Sequence, residues 1–166
     1  MLHQVVKAFD RVVHFEEARA HCDIPCGIYD PHLAQVAALT VIRMVDLMEE
    51  LSKGPEVDAM VFHNSMARYI AVKEEHAELL KKEVRVIYGD YIKQEHLDKY
   101  HELAGLVHKI FQLGSKARQG VNRAQAVELL AAVNRFAEIY WETKGIATKR
   151  VKAPYKPSEE MVLPVL

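Results

Sequence analysis

Apolar positions recur three and four residues apart through most of this chain, which predicts helices rather than strands. The first strong run follows Asp30-Pro31, a pair suited to an N-cap and a first helical position. Leu33, Val36, Val41, Met44, Met48 and Leu51 form its expected inward stripe, and Gly54-Pro55 ends it. Methionine at this spacing reads as core filler. A second helix is expected from Val57 to Tyr88, with Met66, Ile70, Ala77, Leu80, Val84 and Ile87 inward and Gly89 as its stop. A third is expected from Gln94 to Ala117, with Leu97, Tyr100, Ala104, Val107 and Phe111 on one side. After Gly120 and Asn122, a fourth is expected from Arg123 to Lys144, burying Ala126, Leu130, Val133, Phe136 and Tyr140. The expected fold class is all-α: an antiparallel up-down-up-down four-helix bundle over residues 30–145.

Both ends differ from this pattern. Within residues 1–20, Leu2, Val5, Val6, Phe9, Val12 and Val13 fall at helical spacing, which fits a short amphipathic helix. Asp10, Glu16 and Glu17 interrupt any apolar core of the kind a secretory signal needs, so a cytoplasmic location is expected. Residues 146–166 are rich in proline and mixed charge and read as an extended C-terminal tail. Its basic cluster Lys149-Arg150-Val151-Lys152 reads as solvated.

Composition narrows the function classes. Half of the residues are apolar, as in an ordinary folded domain, and the net charge of −1 gives no bulk case for nucleic acid or an anionic membrane. No apolar run approaches a membrane span. A di-iron centre of the bundle type needs paired Glu-x-x-His motifs, and none occurs; Asp98-x-x-His101 is a solitary echo.

The chemistry concentrates in residues 21–29, His21-Cys22-Asp23-Ile24-Pro25-Cys26-Gly27-Ile28-Tyr29, which hold both cysteines. Pro25 biases Ile24 away from helix and Gly27 permits backbone angles other residues avoid, so the segment can bend into a hook. Two thiolates with nitrogen donors suit square-planar Ni(II) or Cu(II), or tetrahedral Zn. A disulfide across so short a loop would be strained. The three side-chain donors fall short of a closed structural zinc site. A free amine at His21 would add one donor and a deprotonated Cys22 amide another, which requires removal of residues 1–20.

The run His21-Cys22-Asp23-x-Pro25-Cys26-Gly27-x-Tyr29-Asp30-Pro31 resembles the nickel hook of nickel-dependent superoxide dismutases. Asp90-Tyr91-x-Lys93 and Trp141-Glu142-Thr143-Lys144 are similar to that family as well, so the resemblance covers residues 21–144. It implies a precursor whose leader, residues 1–20, is cut off by a peptidase. It implies nickel, one per subunit, held by the His21 amine, the Cys22 amide nitrogen and the sulfurs of Cys22 and Cys26, with the His21 imidazole axial. The implied activity disproportionates superoxide to dioxygen and hydrogen peroxide by Ni(II)/Ni(III) cycling, in a homohexamer.

The resemblance also implies roles around the metal. Tyr29 would gate small anions at the open axial face, Asp90 and Tyr91 would hydrogen-bond around that pocket, and Lys93 would draw superoxide inward. The chain departs from the family where other members support the axial imidazole with a glutamate and an arginine; Ala37 and His76 stand there. Two other functions use the same hook: a nickel store or metallochaperone without turnover, and a metal-free dithiol redox protein.

Overall fold

The computed structural model describes residues 27–166. The expected leader helix and the hook donors His21, Cys22 and Cys26 lie outside the described residues. The described chain enters through Gly27, whose φ of +92° is open to glycine at little cost. Helix α1 follows over His32–Lys53. Its start is fixed as the sequence suggests: Pro31 has helical angles and the Asp30 carboxylate accepts from the His32 amide at 2.7 Å.

Helix α2 spans Ala59–Val86 and is capped by Asp58, whose carboxylate accepts from the Met60 and Val61 amides. It widens into a π-helical turn at Ile87–Tyr91, closed by the Ile92 amide on the Ile87 carbonyl at 3.2 Å. Gly89 therefore lies inside this turn and does not stop the helix; the chain leaves at Ile92, where the backbone becomes extended. The expected third helix is two: α3 at Gln94–Lys99 and α4 at Leu103–Gln119. They break at Tyr100, whose φ of −115° and ψ of 74° are not helical. Helix α5 runs over Arg123–Thr143, with the Asn122 side chain accepting from the Gln125 amide at 3.0 Å.

The bundle closes as a ring of neighbours: α1 packs on α2 and α5, and α4 packs on the same two. All five inward residues expected of α5 are buried. The stripe expected of α1 holds at Val41 and Met48 and is misplaced at its other positions. Leu33 is 44% exposed, and the buried set is Ala34, Gln35, Ala37, Ala38, Leu39, Val41, Ile42, Val45 and Met48. This helix is covered by α2, by α5 and by the C-terminal strand, so small residues admit close neighbours on several sides. Met66 and Ile70 of α2 are likewise not buried, because the first buried residue of that helix is Lys73.

Lys73 marks the level at which α4 ends. Lys73 is 2% exposed, and its ammonium donates to the carbonyls of Ala117, Arg118 and Gly120 at 2.6, 2.9 and 2.8 Å. A cation here satisfies acceptors that a helix C-terminus leaves without partners and faces the negative end of its dipole. Burial pushes the Lys73 ammonium below its ordinary range, and Glu74 opposes that shift.

The C-terminal residues do not form a solvated extended tail. Strands β1, Thr148–Lys152, and β2, Glu160–Pro164, pair antiparallel with Arg150 opposite Val162. Ala153, Met161 and Val162 are buried. Gln35 of α1 holds the free side of β2 with both ends of its amide: Nε2 donates to the Val162 carbonyl at 3.0 Å and Oε1 accepts from the Val162 amide at 2.6 Å. Asn134 of α5 donates to the Glu160 carbonyl at 2.8 Å. Within the basic cluster, Arg150 pairs with Glu138 at 2.7 Å, so the cluster is partly tied to α5.

Candidate active site

The π-helical turn that ends α2 decides where Asp90 and Tyr91 point. A wider turn shifts the helix face by a fraction of a residue, and the extended residues Ile92-Lys93 then carry the chain into α3. The His96 ring accepts from the Lys93 amide through Nδ1 at 3.1 Å, which fixes Lys93 at the mouth of that short helix. Tyr29, Asp90, Tyr91, Lys93, Glu95 and His96 line one open cleft of about 370 Å³. All four residues expected near the metal from the second part of the chain and from Tyr29 therefore share a single depression. Cys22, Cys26 and His21 belong to the segment outside the described residues.

Aromatic rings form the wall. Tyr91 lies at the centre, 5.8 Å from the Tyr29 ring, 5.1 Å from Tyr140 and 5.3 Å from His96, on which it stacks at 21°. Trp141 packs edge-on to Tyr140 at 5.0 Å. Such tilted and offset pairs let the positive edge of one ring meet the negative face of another. The Lys144 ammonium sits 4.4 Å from the centroid of the Tyr91 ring, a cation over its face.

Hydroxyl groups lock the wall in place. Tyr140 donates its phenolic hydrogen to the backbone carbonyl of Tyr29, and Tyr91 and Thr143 share a hydrogen bond of 2.7 Å. Burial, together with Tyr91, Asp30 and Tyr29 nearby, pushes Tyr140 up to about 12, so it stays a neutral donor.

Sequence reasoning gave His96 no part in the cleft, and it did not assign Tyr140, Thr143 or Lys144 to the wall. The signal for the last three was their spacing: residues three and four apart at the end of one helix share a face. His96 carried a weaker signal, three residues beyond Lys93 at a helix start. His76 is not brought to this cleft. It lies on α2 fifteen residues before Tyr91, roughly 22 Å along a helix axis, with its Nδ1 against the Val72 carbonyl at 2.9 Å. Ala37 is fully buried in the core.

The donors that could hold a metal here are the thiols and imidazole of the entering segment. Among the described residues no group of three or more His, Cys, Asp and Glu side chains is placed to hold one. Cys26 directly precedes Gly27, and three residues of extended chain reach roughly 11 Å at most. Tyr29, three residues after Cys26 in the sequence, has its carbonyl pinned to Tyr140. Two thiolates and an imidazole are a donor set that fits nickel.

Fold and cleft together define a helical-bundle protein with an open, tyrosine-walled cleft beside Tyr29, the third residue after the second cysteine of the chain. Comparison with known proteins narrows that class. The nickel-containing superoxide dismutase family matches residues 16–144. The superoxide dismutase [Ni] of Streptomyces coelicolor is 34% identical over 125 residues, covering 75% of this chain and 88% of that protein. The corresponding protein of Streptomyces seoulensis is 32% identical over the same shares. A native crystal structure of nickel superoxide dismutase superposes with a TM-score of 0.64 at 35% identity, covering 75% of this chain and 99% of that one. The structure of the oxidised state gives 0.65 at 33% identity, with the same coverage. The chain belongs to the nickel-containing superoxide dismutase family. The hairpin of β1 and β2 falls beyond the matched residues.

Proposed function

We propose that this chain is a nickel superoxide dismutase that gains its metal site when residues 1–20 are removed. The observation that carries this reading is the meeting of Tyr29, three residues from Cys26, with Asp90, Tyr91 and Lys93 in one cleft. Two superoxide anions and two protons give dioxygen and hydrogen peroxide, and bound nickel supplies the one-electron redox chemistry. The holding residues are His21, through its freed amine and its imidazole, Cys22, through its amide nitrogen and sulfur, and Cys26, through its sulfur. While the bond from Ala20 persists, the His21 nitrogen is an amide and a poor ligand.

The cleft residues have separable parts in this reading. Tyr29 and Tyr91 narrow the approach to small species and exclude larger ones. Lys93 contributes positive charge where an anion enters, while Asp90 and Glu95 on the same cleft oppose it. The Lys144 ammonium behind the Tyr91 ring adds to the attraction. Asp90 offers a carboxylate acceptor at the rim. The assembly is a homohexamer in the cytoplasm, and the partners are superoxide, other copies of the chain and a processing peptidase.

The test is a superoxide-decay assay on two forms treated with nickel: the full chain and a chain beginning at His21. The shorter form is expected to be active and the longer form inactive. Nickel bound by the shorter form without turnover would replace this reading with nickel storage.

A further inference from the structure

We infer that Thr143 is a positioning residue that holds the Tyr91 proton out of the cleft, so that Tyr91 presents lone pairs to it. The inference deepens the dismutase reading, and its main observable does not depend on it.

Thr143 Oγ1 lies 2.6 Å from the carbonyl oxygen of Tyr140 and 2.7 Å from the Tyr91 hydroxyl. A carbonyl brings no hydrogen, and two oxygens cannot face each other at that distance without a proton between them. The single Thr143 proton is therefore committed to Tyr140. The second contact then has one remaining donor, the Tyr91 phenol, which must point its hydrogen at Thr143. Both bonds lie at the end of α5, where the Tyr140 carbonyl belongs to the last helical turn. The Tyr91 ring cannot swing to relieve the arrangement, because Tyr29, Tyr140 and His96 pack around it and Lys144 covers a face.

The consequence is a specificity device. A phenol aimed into the cleft would donate to any small anion and hold it there. A phenol whose proton is committed elsewhere gives an anion no such bond, and leaves attraction to Lys93 and Lys144. Inert anions such as azide are then bound less well than a tyrosine-lined cleft would suggest. Thr143→Val and Thr143→Ala both remove the acceptor and free the phenol to turn its hydrogen toward the cleft; Thr143→Ser keeps it.

The first experiment is Raman spectroscopy of the full chain without metal, with the Tyr91 signal isolated by subtracting the Tyr91→Phe spectrum. The intensity ratio of the tyrosine Fermi doublet is low for a phenol that donates and rises when it does not. A low ratio for Tyr91 is expected in the parent and in Thr143→Ser, and a raised one in Thr143→Val and Thr143→Ala. The second is azide inhibition of the processed nickel enzyme, expected to tighten roughly fivefold in Thr143→Val and to lose that gain in the double variant with Tyr91→Phe. An unchanged doublet in both Thr143→Val and Thr143→Ala overturns the inference even if the enzyme is a dismutase. An inactive enzyme with the expected doublet change would sink the dismutase reading and leave the proton assignment standing.

Discussion

The Tyr140 phenol, near the end of the last bundle helix, donates to the backbone carbonyl of Tyr29, three residues beyond Cys26. This bond ties the entering segment to the bundle core. It also makes one buried phenol answer for the position of the residue beside the hook.

The same bond gives a pH signature. Tyr140 is held near 12 in the folded chain against an ordinary value of 10.0. A group whose folded value is raised contributes stability that is complete below the unfolded value and is lost as pH rises through the folded one. That difference corresponds to about 3 kcal/mol. Urea unfolding of the parent should lose up to that amount between pH 10 and 12 relative to Tyr140→Phe. Parallel profiles for the two proteins would mean that the phenol is not buried as described.

Lys73 is a structural cation. Replacing it with methionine keeps the length of the side chain and strips three carbonyls at the end of α4 of their shared donor. Loss of about 3 kcal/mol in urea unfolding is expected, with the far-ultraviolet helix signal intact. A change below roughly 0.5 kcal/mol would show that water replaces the ammonium at no cost.

Lys93 should act on encounter and not on chemistry. Lys93→Ala is expected to lower kcat/KM about threefold at low salt, with the difference closing as salt rises. The effect stays modest because Asp90 and Glu95 already flank it and Lys144 remains. A loss that ignores ionic strength would assign Lys93 a direct contact with the reacting species.

Gln35 pins the C-terminal hairpin. In Gln35→Leu the buried amide and carbonyl of Val162 lose their partners, at a cost of about 2–3 kcal/mol. Hydrogen exchange at the Val162 amide should accelerate while the α5 amides stay protected. Uniform acceleration across the chain would mean that hairpin and bundle open together.

The contrast between what was legible and what was not follows from range. Asp30-Pro31 and Asn122 act through local hydrogen bonds, so those two helix starts could be read from neighbouring residues. Phe136 and its companions on α5 face one continuous core, and their stripe was readable for the same reason. Leu33 and Ile70 were misjudged because which side of a helix is covered depends on partners far along the chain. The hairpin was hidden because β1 carries four polar residues and β2 buries the consecutive pair Met161 and Val162, so neither shows clean alternation.

The cleft was legible only in part. Tyr29, Asp90, Tyr91 and Lys93 stood out through short motifs resembling one family, but nothing local joins residue 29 to residues 90–93. Tyr140 and Thr143 join them by hydrogen bonds across the fold. His96 enters the cleft because α3 is a separate short helix.

The most direct measurement is native mass spectrometry of the protein purified from its own host. The account predicts a hexamer whose subunits begin at His21 and carry one nickel each. Subunits that retain residues 1–20, or that hold zinc instead of nickel, would contradict it.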